Sequence, residues 1–71
     1  MRKARYEIVI NGTLSEPVMA LIDGFQVSRI EDGLTYLVGP ASDQAKLRGM
    51  LLLFGNLNIE LVSVTTLPRD R

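Results

Sequence analysis

Apolar and polar residues alternate near the start of the chain, where single residues separate Tyr6, Ile8 and Ile10. A period of two in aromatic and β-branched residues is typical of a strand with one buried face. An Asp-Gly pair at 32–33 lies between two later apolar runs and favours a tight hairpin. In all, four strands are predicted, at residues 6–11, 25–30, 34–38 and 57–65.

A short helix is predicted between the first two strands. Ser15 is a favourable N-cap, and Pro17 in the first turn loses no hydrogen bond that it could have made. Gly24 lies where a glycine commonly follows a helix. The apolar side of this helix is expected to consist of Val18, Met19, Leu21 and Ile22.

A second helix is predicted by four apolar residues at helical spacing, namely Leu47, Met50, Leu51 and Phe54. We expect Ser42 to cap its start and Gly55-Asn56 to end it. Gly49 lies in mid-helix at a cost of about 1 kcal/mol relative to alanine. Close packing at this position is one reason to expect a glycine there.

The resulting order, βαββαβ, is the ferredoxin-like plan of the α+β class. A right-handed crossover and a returning last strand predict an antiparallel sheet in the order 4-1-3-2, with both helices on one face. The 71 residues are expected to form a single domain, 1–71. Residues 1–4 and 66–71 are expected to fray.

Composition excludes much catalytic chemistry, because the chain has neither histidine nor cysteine. The commonest general base, thiol nucleophiles and most zinc sites are therefore missing. Eight acidic residues balance eight basic ones, so no net field attracts nucleic acid. We predict no catalytic residue, no metal, no cofactor and no enzymatic activity. Since the longest apolar run, 50–54, is far too short for a membrane span, a cytoplasmic protein is expected.

Tyr6 and Tyr36 are the residues that could imitate the stacking aromatics of an RNA-recognition motif. Their alternation predicts that both point inward, Tyr36 together with Leu34 and Val38. Nucleic-acid binding by the sheet is therefore not expected.

The second half of the chain carries a distinctive combination of residues. The helix reads Asp43-Gln44-Ala45 followed by Leu47, Gly49 and Leu51, and the last strand reads Glu60-Leu61-Val62-Ser63-Val64. In these positions the chain resembles a group of small bacterial proteins of unknown function. The resemblance implies a ferredoxin-like domain of bacterial origin and brings no catalytic residues with it.

Apolar residues in excess of the core predict an interaction surface. Leu52 and Leu53 follow on the second helix, and their angular positions do not allow both to join its buried stripe. On the strands, Val9, Leu37, Val62 and Val64 are expected to alternate onto the open sheet face. A homodimer through this face or through an edge strand is the main expectation, with another protein partner and scattered exposed aliphatic residues as alternatives.

Two polar features give further alternatives. Asn11-Gly12-Thr13 is a turn sequence. It lies where amino-acid-sensing ACT domains, which share this order of elements, carry the loop that helps to form their effector site. A small-molecule ligand at this loop is therefore one hypothesis. A basic corner is predicted where the first strand begins beside the end of the last. It consists of Arg2, Lys3, Arg5, Arg69 and Arg71. Solubilising termini are the main interpretation, and binding of an anion or a nucleic-acid backbone is the alternative.

Overall fold

A computed structural model describes residues 4–22, 24–41 and 44–68. The six elements follow the predicted order along the chain. They are β1 (Ala4–Asn11), α1 (Glu16–Met19), β2 (Gln26–Glu31), β3 (Leu34–Ala41), α2 (Gln44–Asn56) and β4 (Leu61–Thr66). Ala4 and Thr66 thus lie within strands, while residues 1–3 and 69–71 of the ends predicted to fray lie outside the described residues.

The four strands form one antiparallel sheet in the order β2-β3-β1-β4. Read from the opposite edge, this order is 4-1-3-2. β1 is central and pairs with β3 on one side and β4 on the other. The α+β architecture of one four-stranded antiparallel sheet and two helices is therefore as predicted.

The core lies on one face of the sheet. Ile8 and Ile10 of β1 and Leu37 of β3 are completely buried, and both connecting segments reach this cluster, through Ile22 after α1 and Phe54 of α2. One continuous cluster receives side chains from both helical segments, so both cover the same face.

The side-chain orientation predicted for β3 is wrong. Leu37 pairs with Ile8 and Thr35 pairs with Ile10, so these two β3 residues face the core. Leu34, Tyr36 and Val38 face the uncovered side instead, because directly opposite residues of an antiparallel pair share a face. Thr35 is buried because its hydroxyl donates a hydrogen bond to the Gly12 carbonyl, which removes the cost of burying it.

The β2–β3 hairpin closes through Asp32 and Gly33, with φ values of 56° and 78°. Positive φ at both central positions is the requirement of a type I′ turn, for which Asp-Gly is a preferred pair. At the other end β3 continues through Pro40 to Ala41, beyond the predicted end at Val38. The described pairing with β2 begins at Val38, so the proline lies outside the β2–β3 ladder and its missing N–H breaks no hydrogen bond there.

α1 is a single turn, and its predicted apolar side is only partly buried. Ser15 lies at the N-cap position with extended backbone, but its side chain makes no capping hydrogen bond. Ile22 is buried, whereas Leu21 is 63% exposed. The helix layer is consequently thin over this part of the sheet.

α2 buries Met50 and Phe54 and packs Leu47 and Leu51 against the same cluster, as the predicted stripe requires. It ends at Asn56, as predicted, and the predicted cap Ser42 lies outside the described residues. Beyond the last helical residue the chain turns away at Asn58, which has a φ of 59°. The Ile59 amide donates to the Phe54 carbonyl at 2.9 Å and the Asn58 amide to the Gly55 carbonyl at 3.1 Å. This is the bonding pattern of a Schellman motif with asparagine in the left-handed position.

Gly49 does not mark close packing. It is exposed, and a Cβ built there would meet no described atom within 4 Å. The glycine that does mark close packing is Gly39, whose Cβ would lie 2.7 Å from the Gly24 carbonyl oxygen and 2.8 Å from Phe25 Cγ.

Candidate functional site

The two edges of the sheet differ in chemistry. β4 reads Leu-Val-Ser-Val-Thr-Thr and carries no charged residue, whereas β2 contains Arg29 and Glu31. An edge strand presents unpaired backbone N–H and C=O groups, and charged side chains are a common device that prevents other chains from pairing with it. β2 therefore has protection that β4 lacks.

Each edge strand contains a bulge. In β4, Ser63 pairs with Val9 and Leu61 with Ile10, so Val62 is the additional residue. In β2, Val27 pairs with Leu37 and Arg29 with Tyr36, which leaves Ser28 unpaired. The β4 bulge shifts the alternation of the strand, so that Leu61 and Val64 both pair with residues whose side chains face the core.

The predicted interface residues separate into three groups. Leu37 is completely buried in the core, and Leu53 is partly buried against it. Val9 does lie on the uncovered face, but it is only 4% exposed, because it sits in the central strand between β3 and β4. These three residues are corrections to the prediction of an exposed surface.

The remaining three predicted residues are exposed, although not on one face. Leu52 projects from α2 with 63% exposure. Val62 is 51% exposed at the bulge. Val64 pairs with Ile8 and so lies on the helix side of the sheet, not on the open face as predicted. The sequence interpretation missed Leu61 and, on the opposite edge, Ile30, which are also exposed.

On the uncovered face a row of side chains crosses the sheet from Arg29 through Tyr36 and Val9 to Ser63. The Arg29 guanidinium carbon lies 3.8 Å from the centroid of the Tyr36 ring, and its Nε lies 3.1 Å from a Glu31 carboxylate oxygen. Hydrogen bonding with Tyr36, and secondarily the nearby negative charges, raise the pKa of Arg29 above its ordinary value. Tyr36 points outward, which corrects the predicted inward orientation. The Arg29 guanidinium covers one face of its ring.

The predicted ligand loop uses its polar groups within the chain. The Asn11 side-chain amide donates to a Glu60 carboxylate oxygen at 2.9 Å, and the Gly12 amide donates to the Gly33 carbonyl at 2.7 Å. The Gly12 carbonyl accepts a hydrogen bond from the Thr35 hydroxyl. Gly12 has a φ of 89°, a conformation that favours glycine. Thr13 is exposed. These contacts join three loops at one end of the sheet, so holding these loops together accounts for the Asn-Gly turn sequence.

Of the predicted basic corner, Arg5 is the one member within the described residues, since Arg2, Lys3, Arg69 and Arg71 lie outside them. Arg5 is exposed, and its carbonyl accepts a hydrogen bond from the Leu67 amide at 2.9 Å. The end of β4 therefore does lie beside the beginning of β1, as the corner requires.

A groove that the sequence interpretation missed lies between the first half of α2 and the same end of the sheet. Its volume is about 380 Å³. Its described lining consists of Tyr6, Gln44, Leu47, Arg48, Leu51 and Thr66. The four helical residues share one face of α2 by their spacing, and this is the signal that the sequence contains. Pairing of Tyr6 with Thr66 completes the groove, and it depends on a strand register that the sequence pattern did not reveal.

The described residues contain no cluster of three or more histidine, cysteine or acidic side chains that could hold a metal ion. Within that same part of the chain, no helix is long and apolar enough to cross a membrane.

Comparison with known proteins identifies a family but no activity. No curated protein and no solved structure matches the chain. Residues 5–65 match a family described as a domain of unknown function, DUF8691, and this range includes nearly all of the sheet and both helices. The match covers most of the 71 residues, and the chain therefore belongs to the DUF8691 family of domains of unknown function.

Proposed function

We propose that this domain is a non-catalytic module that associates with a second copy of itself by pairing their β4 strands. The observation that carries the proposal is that β4 is an edge strand without a single charged residue. Leu61, Val62 and Val64 are all exposed on it. A second β4 would pair with the free backbone groups and cover these aliphatic side chains.

A second copy fits this edge for a symmetry reason. Two β4 strands related by a twofold axis pair antiparallel, so each copy satisfies the edge of the other. The valine and threonine residues of β4 favour strand pairing, and no charge on one copy requires an opposite charge on the other. Pairing would leave β2, the edge with Arg29 and Glu31, on the outside of the dimer.

The small size of the domain supports association. A chain of 71 residues buries only about 60% of the surface that it exposes when unfolded. With α1 limited to one turn, the helix layer covers little of the part of the sheet next to it. Extra apolar burial between copies is a common way for so small a domain to gain stability.

Two attributes accompany this proposal. The order of elements and the strand neighbours support a ferredoxin-like fold, with both helices on one face. The lack of cysteine, together with the resemblance described above, is consistent with a bacterial protein of the reducing cytoplasm.

The test is the mass in solution, measured by light scattering over a wide range of protein concentration. We expect a dimer for the wild type and a folded monomer for Val62→Lys at concentrations where the wild type is paired. Val62 is about half exposed, so burying the rest of its side chain on pairing would contribute about 1 kcal/mol of transfer free energy per copy. Losing it from both copies weakens the dimer by about 2 kcal/mol, which is roughly thirtyfold.

Ile30→Lys is the matched control, because Ile30 is an exposed aliphatic residue of the opposite edge strand, β2. This variant should remain dimeric. Dissociation by Ile30→Lys with no effect of Val62→Lys would move the interface to β2 and refute pairing through β4. A wild type that stays monomeric at every concentration would refute self-association altogether.

A further inference from the structure

The residues that line the groove beside α2 favour a negatively charged ligand. Arg48 is the single charged residue of its described lining, which contains no acidic side chain. Within the described part of the chain, Arg48 forms no ion pair, whereas Arg29 is engaged by Glu31 and Tyr36. The groove therefore offers a cation that no described side chain neutralises.

The rest of the lining combines apolar and polar surface. Leu47 and Leu51 are partly buried and pack against the core, so they form a fixed apolar wall. The Tyr6 and Thr66 hydroxyls and the Gln44 amide are hydrogen-bonding groups around it. A volume of about 380 Å³ is at the small end of the range found for ligand sites.

We propose that this groove binds a small organic carboxylate with a short apolar body. A guanidinium presents two parallel N–H donors that match the two oxygens of a carboxylate. The hydrocarbon part of such a ligand would lie along Leu47 and Leu51, and its carboxylate would meet Arg48, one helical turn from Gln44. An anion without an apolar part would use only the arginine, and an uncharged ligand only the leucines.

All described lining residues belong to one chain, and of these only Thr66, its last residue, lies on β4, so the groove is formed without a second copy. The same binding is expected of the wild type and of the Val62→Lys variant described above. A failure of this proposal and a failure of self-association can therefore be told apart.

The experiment is an NMR titration of the ¹⁵N-labelled protein with hexanoate, with acetate and hexanol as matched probes. We expect hexanoate to shift the backbone amide signals of α2 around Leu47 and of β4 near Thr66, and to bind at least tenfold more tightly than either probe. Arg48→Gln should weaken hexanoate binding at least tenfold, since it removes the charge and keeps a long polar side chain at an exposed position.

Arg5→Gln is the control, because Arg5 is an exposed arginine next to Tyr6 in β1 but lies on the other face of the sheet and outside the groove. Its hexanoate affinity should equal that of the wild type. The proposal is overturned if hexanoate leaves these signals unshifted, if hexanol binds as tightly, or if Arg48→Gln binds hexanoate with unchanged affinity. Equal weakening by Arg5→Gln and Arg48→Gln would also overturn it, because the effect would then reflect net charge alone.

Discussion

Alanine at position 39 would place a methyl group where the segment after α1 crosses β3. Its carbon would lie 2.7 Å from the Gly24 carbonyl oxygen, 2.8 Å from Phe25 Cγ and 2.9 Å from Phe25 Cα. Two of these three atoms belong to the backbone, so no side-chain rotation relieves the contact. Either the 24–25 segment or β3 must move.

The expected cost follows from what this movement would disturb. Phe25 is only 5% exposed and belongs to the core cluster with Ile22 and Phe54. Overpacking a core commonly costs about 1–3 kcal/mol, and a clash against backbone falls at the upper end of that range. A domain of 71 residues has about 4–10 kcal/mol of total stability. We expect Gly39→Ala to lose about 3 kcal/mol and to lower Tm by about 15 °C.

Urea denaturation followed by circular dichroism measures this loss directly. Gly49→Ala is the matched control, because it adds the same methyl group to an exposed helical position where a Cβ meets no described atom within 4 Å. It should raise the free energy of unfolding by about 1 kcal/mol. A Gly39→Ala midpoint equal to that of the wild type would refute the close approach over β3. A destabilised Gly49→Ala would show that position 49 is not an open helical site.

Three other substitutions test the turn, the helix end and the core, and a fourth, Leu52→Lys, is the control for the core. Gly33→Ala should lose about 1 kcal/mol in thermal unfolding, because its φ of 78° is strained for alanine, and an unchanged Tm would contradict the type I′ turn. Asn58→Gly should raise the free energy of unfolding in urea by about 0.5 kcal/mol, since glycine adopts a φ of 59° more easily. A decrease would argue against a left-handed backbone conformation at residue 58. Phe54→Ala should cost about 3–5 kcal/mol and broaden or abolish cooperative unfolding, whereas Leu52→Lys should leave the urea midpoint nearly unchanged.

Local signals in the sequence were sufficient for the order of elements. Asp32-Gly33 encodes its turn within two residues, because both positions require positive φ. The stripe from Leu47 to Phe54 predicts which side of α2 is buried without reference to the sheet. Such features depend on neighbours in the chain and can be derived from it.

Orientation within the strands could not be derived in the same way. Leu34 to Val38 are all apolar or strand-favouring, so alternation does not say which face is buried. The choice depends on Thr35, whose hydroxyl reaches the carbonyl of the distant Gly12. The bulge at Val62 shifts the alternation of β4 and is likewise set by pairing with β1.

The candidate sites show the same limit. That β4 lacks charge is visible in the sequence, but its position at the edge follows from the sheet order. Arg48 was not singled out, because a lone arginine on a helix has no distinctive sequence signal. Its significance comes from Tyr6 and Thr66, which pairing brings together from opposite ends of the chain.

The central position of β1 has a consequence for the order of folding. The β2–β3 hairpin closes over two residues, whereas Ile8 in β1 must find Val64 across nearly the whole chain. Closing so long a loop costs more entropy than closing the hairpin. Pulse-labelled hydrogen exchange during refolding should therefore protect the amides shared by β2 and β3 before those shared by β1 and β4. Simultaneous protection of both sets would contradict this order. Any state that forms before β4 has joined leaves one edge of β1 unpaired beside Ile8 and Ile10, and an unpaired edge next to apolar side chains favours aggregation.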